Sequence, residues 1–228
     1  MPSAWLATVG VAAAAISVAT ALPQVWRLRR SPTADGLSPA AVVLGVLATL
    51  TWLVYGALQA DPPQVVANVP GLAGAAAITA LVVRRTATRP DGVLAAVGGW
   101  CLLLAAAWSA GGAFAVGCLG TVVSLVARAP QVVEVFRSRS LDGVSPASFA
   151  LGCAAATLWA VYGVGTAQTP VWSCSVVVAA MSAVICLRSA TSRRPVAVAS
   201  GRQTIFTTMS RSTSPALATR SAASDRCR

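Results

Sequence analysis

Two stretches of this chain carry no charge over lengths that dictate their environment: 35 residues from Val93 to Ala127 and 45 from Gly143 to Leu187. A helix rises about 1.5 Å per residue and the hydrocarbon core of a bilayer is roughly 30 Å thick, so one crossing uses about 20 residues. Each stretch is too long for one crossing and needs an internal break. Gly111-Gly112 supplies it in the first, and the polar segment from Gly165 to Pro170 supplies it in the second. The same reasoning places earlier spans at 3–26, 38–60 and 62–83, the last two separated by Asp61 and Pro62-Pro63. The later spans fall at 93–110, 113–136, 145–166 and 169–187. Only 10% of residues are charged, against about 25% in an ordinary soluble domain.

The basic residues test this division. All 17 are arginine, and the net charge is +11. In a soluble protein that balance would suggest nucleic acid. Here 16 of them lie in the first, third and fifth connections and in the tail, while the alternate connections hold none. Arginine-bearing loops face the cytoplasm. The expected topology therefore has the N-terminus outside and the C-terminus inside, and no nucleic-acid partner. Arg128 is the exception, within the fifth span, where it is expected to snorkel toward the same side. The first charge is Arg27, so the start of the chain lacks the charged region of a signal peptide. Residues 188–228, with eight Arg and one Asp, read as a disordered basic cytoplasmic tail. The six cysteines include no C-x-x-C pair and there is no histidine. No metal, cofactor or disulfide framework is expected, and the cysteines within the spans read as small buried hydrophobes.

A shift of 107 residues exposes a duplication. Residues 23–63 align without a gap on 130–170, with 19 identities in 41 positions. Pro23-Gln24-Val25 matches Pro130-Gln131-Val132, Asp35-Gly36 matches Asp142-Gly143, and Ser38-Pro39 matches Ser145-Pro146. Trp52, Tyr55 and Gly56 match Trp159, Tyr162 and Gly163; upstream, Gly10 and Ser17 match Gly117 and Ser124. Each copy holds three spans, and the unmatched span between them restores the direction of the second. The expected fold is all-α: a polytopic membrane protein of seven transmembrane helices, in two parallel three-helix bundles joined by a linker helix. The expected parts are a first repeat at 3–83, a linker helix at 91–110, a second repeat at 113–187 and the tail.

The P-Q pair near the end of the first helix of each copy, followed by D-G-x-S-P, resembles the PQ-loop family. The strings W-L-V-Y-G at 52–56 and W-A-V-Y-G at 159–163 are similar to the SWEET and SemiSWEET branch of sugar transporters. This resemblance implies a sugar site built from Trp and Asn, which assigns that role to Trp52 and Asn68, and in the second copy to Trp159 with Ser175 in place of the amide. An indole face suits the C–H face of a sugar ring, and a carboxamide offers both a donor and an acceptor. Each residue also has a plainer reading, Trp as an interfacial anchor and Asn as a bond between helices. Pro23 and Pro130, with Gln24 and Gln131, are candidate hinges or static kinks. Tyr55 and Tyr162 are candidate outer gates or interfacial anchors. Ser38 and Ser145 read as N-caps with proline at the first helical position.

No carboxylate falls in the middle of a span, so passive movement of a small neutral solute, a sugar by resemblance, is expected rather than proton coupling. No enzymatic constellation is present. A PQ-loop exporter of amino acids or other metabolites, or a non-transporting receptor or assembly factor, remains open, and a homo-oligomer is compatible with the pattern. The absence of lysine and the abundance of alanine point to a GC-rich genome, and the expected location is a bacterial plasma membrane. Reporters fused after Asp91 and after Arg228 should both be cytoplasmic, and one inserted between Gly165 and Thr169 should be external. Finding the first two on opposite sides would contradict the span assignment.

Overall fold

The computed structural model describes residues 3–30, 38–86, 89–137 and 146–192. Six helices follow one another: α1 (Ala4–Arg30), α2 (Pro39–Leu58), α3 (Pro62–Thr86), α4 (Pro90–Arg137), α5 (Pro146–Gly165) and α6 (Thr169–Ser192). The Asp35-Gly36 and Asp142-Gly143 turns, Ser145, and residues 193–228 of the tail lie outside the described residues. Residues 188–192, expected in the tail, extend α6 instead.

The spans expected at 93–110 and 113–136 both lie in α4, one on each side of a non-helical break. The break anticipated at Gly111-Gly112 is present as a kink: Gly111 has φ −151°, ψ 18° and Gly112 has φ 61°, ψ −153°. The second pair of angles is open only to glycine. Helical geometry persists through Pro130, so the bend in α4 comes from the glycines.

Among the described residues five helices are long and apolar enough to cross a membrane: Pro39–Leu58, Pro62–Thr86, Pro90–Arg137, Ala147–Gly165 and Thr169–Ser189, with Ala4–Thr20 a shorter apolar helix. Many large apolar side chains lie on the surface, among them Leu94, Leu102, Phe114 and Val164. Such a surface suits lipid, in which helices satisfy their own backbone groups. Cys101 and Cys118 share this exposed surface, contrary to the burial expected of them, whereas Cys174 is buried.

The two copies end their second helices in the same way. Ala60 N–H bonds to Ala57 C=O at 3.1 Å and Asp61 N–H to Gly56 C=O at 2.8 Å. Ala167 N–H bonds to Val164 C=O at 3.1 Å and Gln168 N–H to Gly163 C=O at 2.8 Å. These are paired Schellman turns, which satisfy the last helical carbonyls and reverse the chain within three residues. Their left-handed residues are alanines, at φ 47° for Ala60 and 55° for Ala167. At the start of α2, Ser38 holds the N-cap position with proline following, but its side chain makes no capping bond; the proline and the extended backbone suffice.

Within the first copy α3 packs against both α1 and α2; within the second, α6 packs against both α4 and α5. Between copies, α1 packs on α5 and α2 on α4. The first arm of α4 attaches to α2, where Trp100 Nε1 donates to Thr51 Oγ1 at 2.8 Å. Leu104 from that arm joins Tyr55, Val116 and Val171 in a buried cluster.

A left-handed alanine costs about 1–2 kcal/mol relative to glycine, partly offset by glycine's greater freedom when unfolded. Ala60→Gly and Ala167→Gly should each stabilise the protein by up to about 1 kcal/mol, read as a higher midpoint of unfolding in detergent. A lower midpoint for both would show that the turns are held differently.

Candidate functional site

Most Ser and Thr side chains of the spanning helices bond to their own helix backbone, and a smaller set of polar side chains joins the two copies. Trp52 Nε1 donates to Ser124 Oγ at 2.9 Å, and Trp159 Nε1 donates to Ser17 Oγ at 3.1 Å. Trp52 and Trp159 are repeat partners, and so are Ser17 and Ser124. The two bonds are therefore one interaction made twice, each tryptophan held by the opposite copy. Each indole also meets a tyrosine one turn along its helix edge to face. The centroids are 5.6 Å apart for Trp52–Tyr55 and 5.7 Å for Trp159–Tyr162.

The tyrosines sit against glycines of the opposite copy. A Cβ added to Gly10 would lie 2.7 Å from the Tyr162 ring, and one added to Gly117 would lie 2.8 Å from the Tyr55 ring. No larger residue fits without moving the ring. Tyr55 and Tyr162 are only 1% and 2% exposed, so they are interior groups. The anchor alternative required a ring at the lipid–water interface.

A cavity of about 600 Å³ lies between the copies, in the size range of small-molecule sites. Trp52, Asn68, Trp159 and Ser175, the four residues singled out from sequence, all line it. Its wall runs from Gln64 and Val171 beside the turns to Val42 and Ile78, toward the start of α2 and the arginine-bearing end of α3. Asn68 Nδ2 donates to the Gln64 carbonyl at 2.8 Å, so half of its amide serves its own helix. The hinge candidates are less visible. Pro23 and Gln24 fall on the backbone of α1 and Pro130 is exposed on α4, while the side chains of Pro23, Gln24 and Gln131 lie outside the described residues.

At the turn end, the cavity meets a buried polar cluster centred on Asp61, which is 5% exposed. Asp61 Oδ1 accepts from the Gln64 backbone N–H at 3.2 Å and from the Tyr162 hydroxyl at 3.0 Å. Oδ2 accepts from Gln64 Nε2 at 3.4 Å and from Gln168 Nε2 at 2.7 Å. Gln64 Nε2 also donates to Gln168 Oε1 at 2.8 Å. A buried carboxylate is tolerated only when hydrogen-bonded in this way. Asp61 and Gln168 are separated by 107 residues, so they are repeat partners touching each other. Tyr55 stands outside the cluster, its hydroxyl accepting from Gln59 Nε2 at 3.3 Å. The closure is thus unequal, with the tyrosine of the second copy bound to the carboxylate of the first.

Sequence reasoning left Asp61 as a helix breaker at a span end and did not single out Gln64 or Gln168. The available signal was the 107-residue offset, which pairs a carboxylate with an amide at the same turn. Among the described residues no cluster of His, Cys, Asp and Glu could hold a metal ion.

Tyr162→Phe should lower stability by about 1–3 kcal/mol, because it leaves one acceptor of a buried carboxylate unmet. Tyr55→Phe should cost less, since it removes a bond between two neutral groups. Equal losses in the two unfolding midpoints would count against the special position of Asp61.

No curated protein matches the sequence. The PQ loop repeat family model matches twice, at residues 5–65 and 112–172. The second match is displaced from the first by the repeat offset, and together they cover more than half of the chain. With multiple apolar helices and two matched repeats, the chain is a multi-pass membrane protein that belongs to the PQ-loop repeat family.

Proposed function

We propose that this protein is a membrane facilitator that moves a small hydroxylated solute, of sugar size, by alternating access between its two repeats. The observation that carries the reading is a cavity flanked by repeat-related tryptophans, each fixed by the other copy, with a buried polar cluster at one end. A sugar ring offers C–H faces to two indoles, and Asn68 and Ser175 offer hydrogen bonds at its edge. In this reading the kink at Gly111-Gly112 divides α4 into two crossings. That gives seven crossings, arranged as two parallel three-helix bundles with 90–110 as the linker. The arginine-bearing ends face the cytoplasm of a bacterial cell, so the Asp61 cluster closes the external side while the cavity extends inward.

The site and the closure share residues. Asn68 is bonded to Gln64, which is bonded to Asp61 and Gln168. Trp159 abuts Tyr162, which is bonded to Asp61. A solute that repositions Asn68 or Trp159 therefore acts on the closure through one intervening residue. This is the differential contact that a population shift requires. The closure parts when Gln168 and Tyr162 leave Asp61, and external water then replaces them as donors to the carboxylate.

Trp52→Ala and Trp159→Ala should each weaken solute binding by about 1–3 kcal/mol, roughly fivefold to over a hundredfold. Asn68→Ala should be comparably damaging, and Ser175→Asn should be tolerated. Binding and counterflow in proteoliposomes, alongside unfolding midpoints, measure this. Normal transport by well-folded Trp52→Ala and Asn68→Ala proteins would remove the site assignment.

A further inference from the structure

Among the described residues that line the cavity, one is charged: Arg128 on α4. Its counterpart in the first copy is Ala21, so the charge is an addition to the duplicated scaffold. Arg128 lies one helical turn beyond Ser124, the residue that holds Trp52. Positions four apart share a helix face, and Cα–Cβ bonds tilt toward the helix N-terminus. The Arg128 stem therefore leans back toward the turn that carries Ser124. It is nine residues, roughly 14 Å, from Arg137 at the end of α4. That distance argues against the expectation that it snorkels to the headgroups.

Among the described residues no carboxylate pairs with Arg128; the side chain that acts on it electrostatically is the Cys174 thiol, which also lines the cavity. Asp61 is committed to the closure at the opposite end of the cavity, and Asp91 is exposed at the start of α4. A cation at this depth is costly, and it is found where it faces a water-filled cavity and marks a solute path. A guanidinium is also the side chain best shaped to receive a carboxylate through two parallel hydrogen bonds.

We propose that the solute held between Trp52 and Trp159 is a hydroxylated monoanion of the sugar-acid type, whose carboxylate is received by Arg128. This inference rests on the transport reading and revises the charge of the solute from neutral to anionic. The indoles take the ring and Asn68 and Ser175 take hydroxyls. Arg128 takes the carboxylate one turn nearer the arginine-bearing end. The unmatched charge makes the site polar along its length, so the solute binds in one orientation.

The test compares glucuronate with glucose, which differ in a carboxylate against a hydroxymethyl group. Both are measured by binding and counterflow with the full chain in proteoliposomes. Glucuronate should be preferred at least tenfold. Arg128→Gln and Arg128→Met, made in parallel so that one well-folded uncharged variant suffices, should bring the ratio close to one. Arg128→Lys should retain an intermediate preference. A wild-type ratio at or below one, or failure of the wild type to bind either compound, overturns the proposal. So does a preference that survives Arg128→Gln while Trp52→Ala still abolishes binding of both; that outcome leaves the transport reading standing. If Trp52→Ala affects neither compound, the transport site itself is misplaced and the proposal falls with it.

Discussion

Each repeat of this protein holds the tryptophans and the buried closing cluster of the seam through bonds to the other. In lipid a polar group without a partner is costly, and the apolar faces of helices provide none. Ser17 and Ser124 accept the indole N–H groups of Trp159 and Trp52, and Gln168 completes the shell of Asp61. Neither copy could bury these groups alone. The pairing brings α1 onto α5 and α2 onto α4, and the cavity lies between them. The tyrosines fit because the facing positions are glycine, at Gly10 and Gly117.

The duplication is close but unequal, and the departures from it carry the functional argument. Trp, Tyr, Gly and Ser recur at the seam, and there the two halves bond alike. Asp61 faces Gln168, so the closed end has one carboxylate surrounded by donors in place of two repelling ones. Asn68 is matched by Ser175 and Ala21 by Arg128, so the cavity offers different chemistry on its two walls. A scaffold with exact symmetry would present the same chemistry in two orientations; these substitutions make the two walls differ.

Much of the fold was legible because membrane helices write their limits in charge and turn residues. The breaks at Gly111-Gly112, Asp61 and Gly165–Pro170 all fall where the helices kink or end. The two expected spans on either side of Gly111-Gly112 are continuous in chain direction only up to that non-helical pair. The four cavity residues were legible through the repeat and through family resemblance, although Asn68 also serves its own helix. The closure was not legible. Asp61 reads as a helix breaker in the linear order, and only the approach of the two turns places Gln168 and Tyr162 around it. Arg128 was read from its chain position as a snorkelling residue, because the cavity it lines is formed by helices distant in sequence.

The central claim is that the two turns part when the cavity changes its side of access. Double electron–electron resonance between spin labels at Gln59 and Thr166, in lipid nanodiscs, tests it directly. The account predicts two distance populations, the shorter matching the closed turns, with the longer enriched by Asp61→Asn and shifted by saturating solute. One narrow distance, unchanged by solute and by Asp61→Asn, would contradict it.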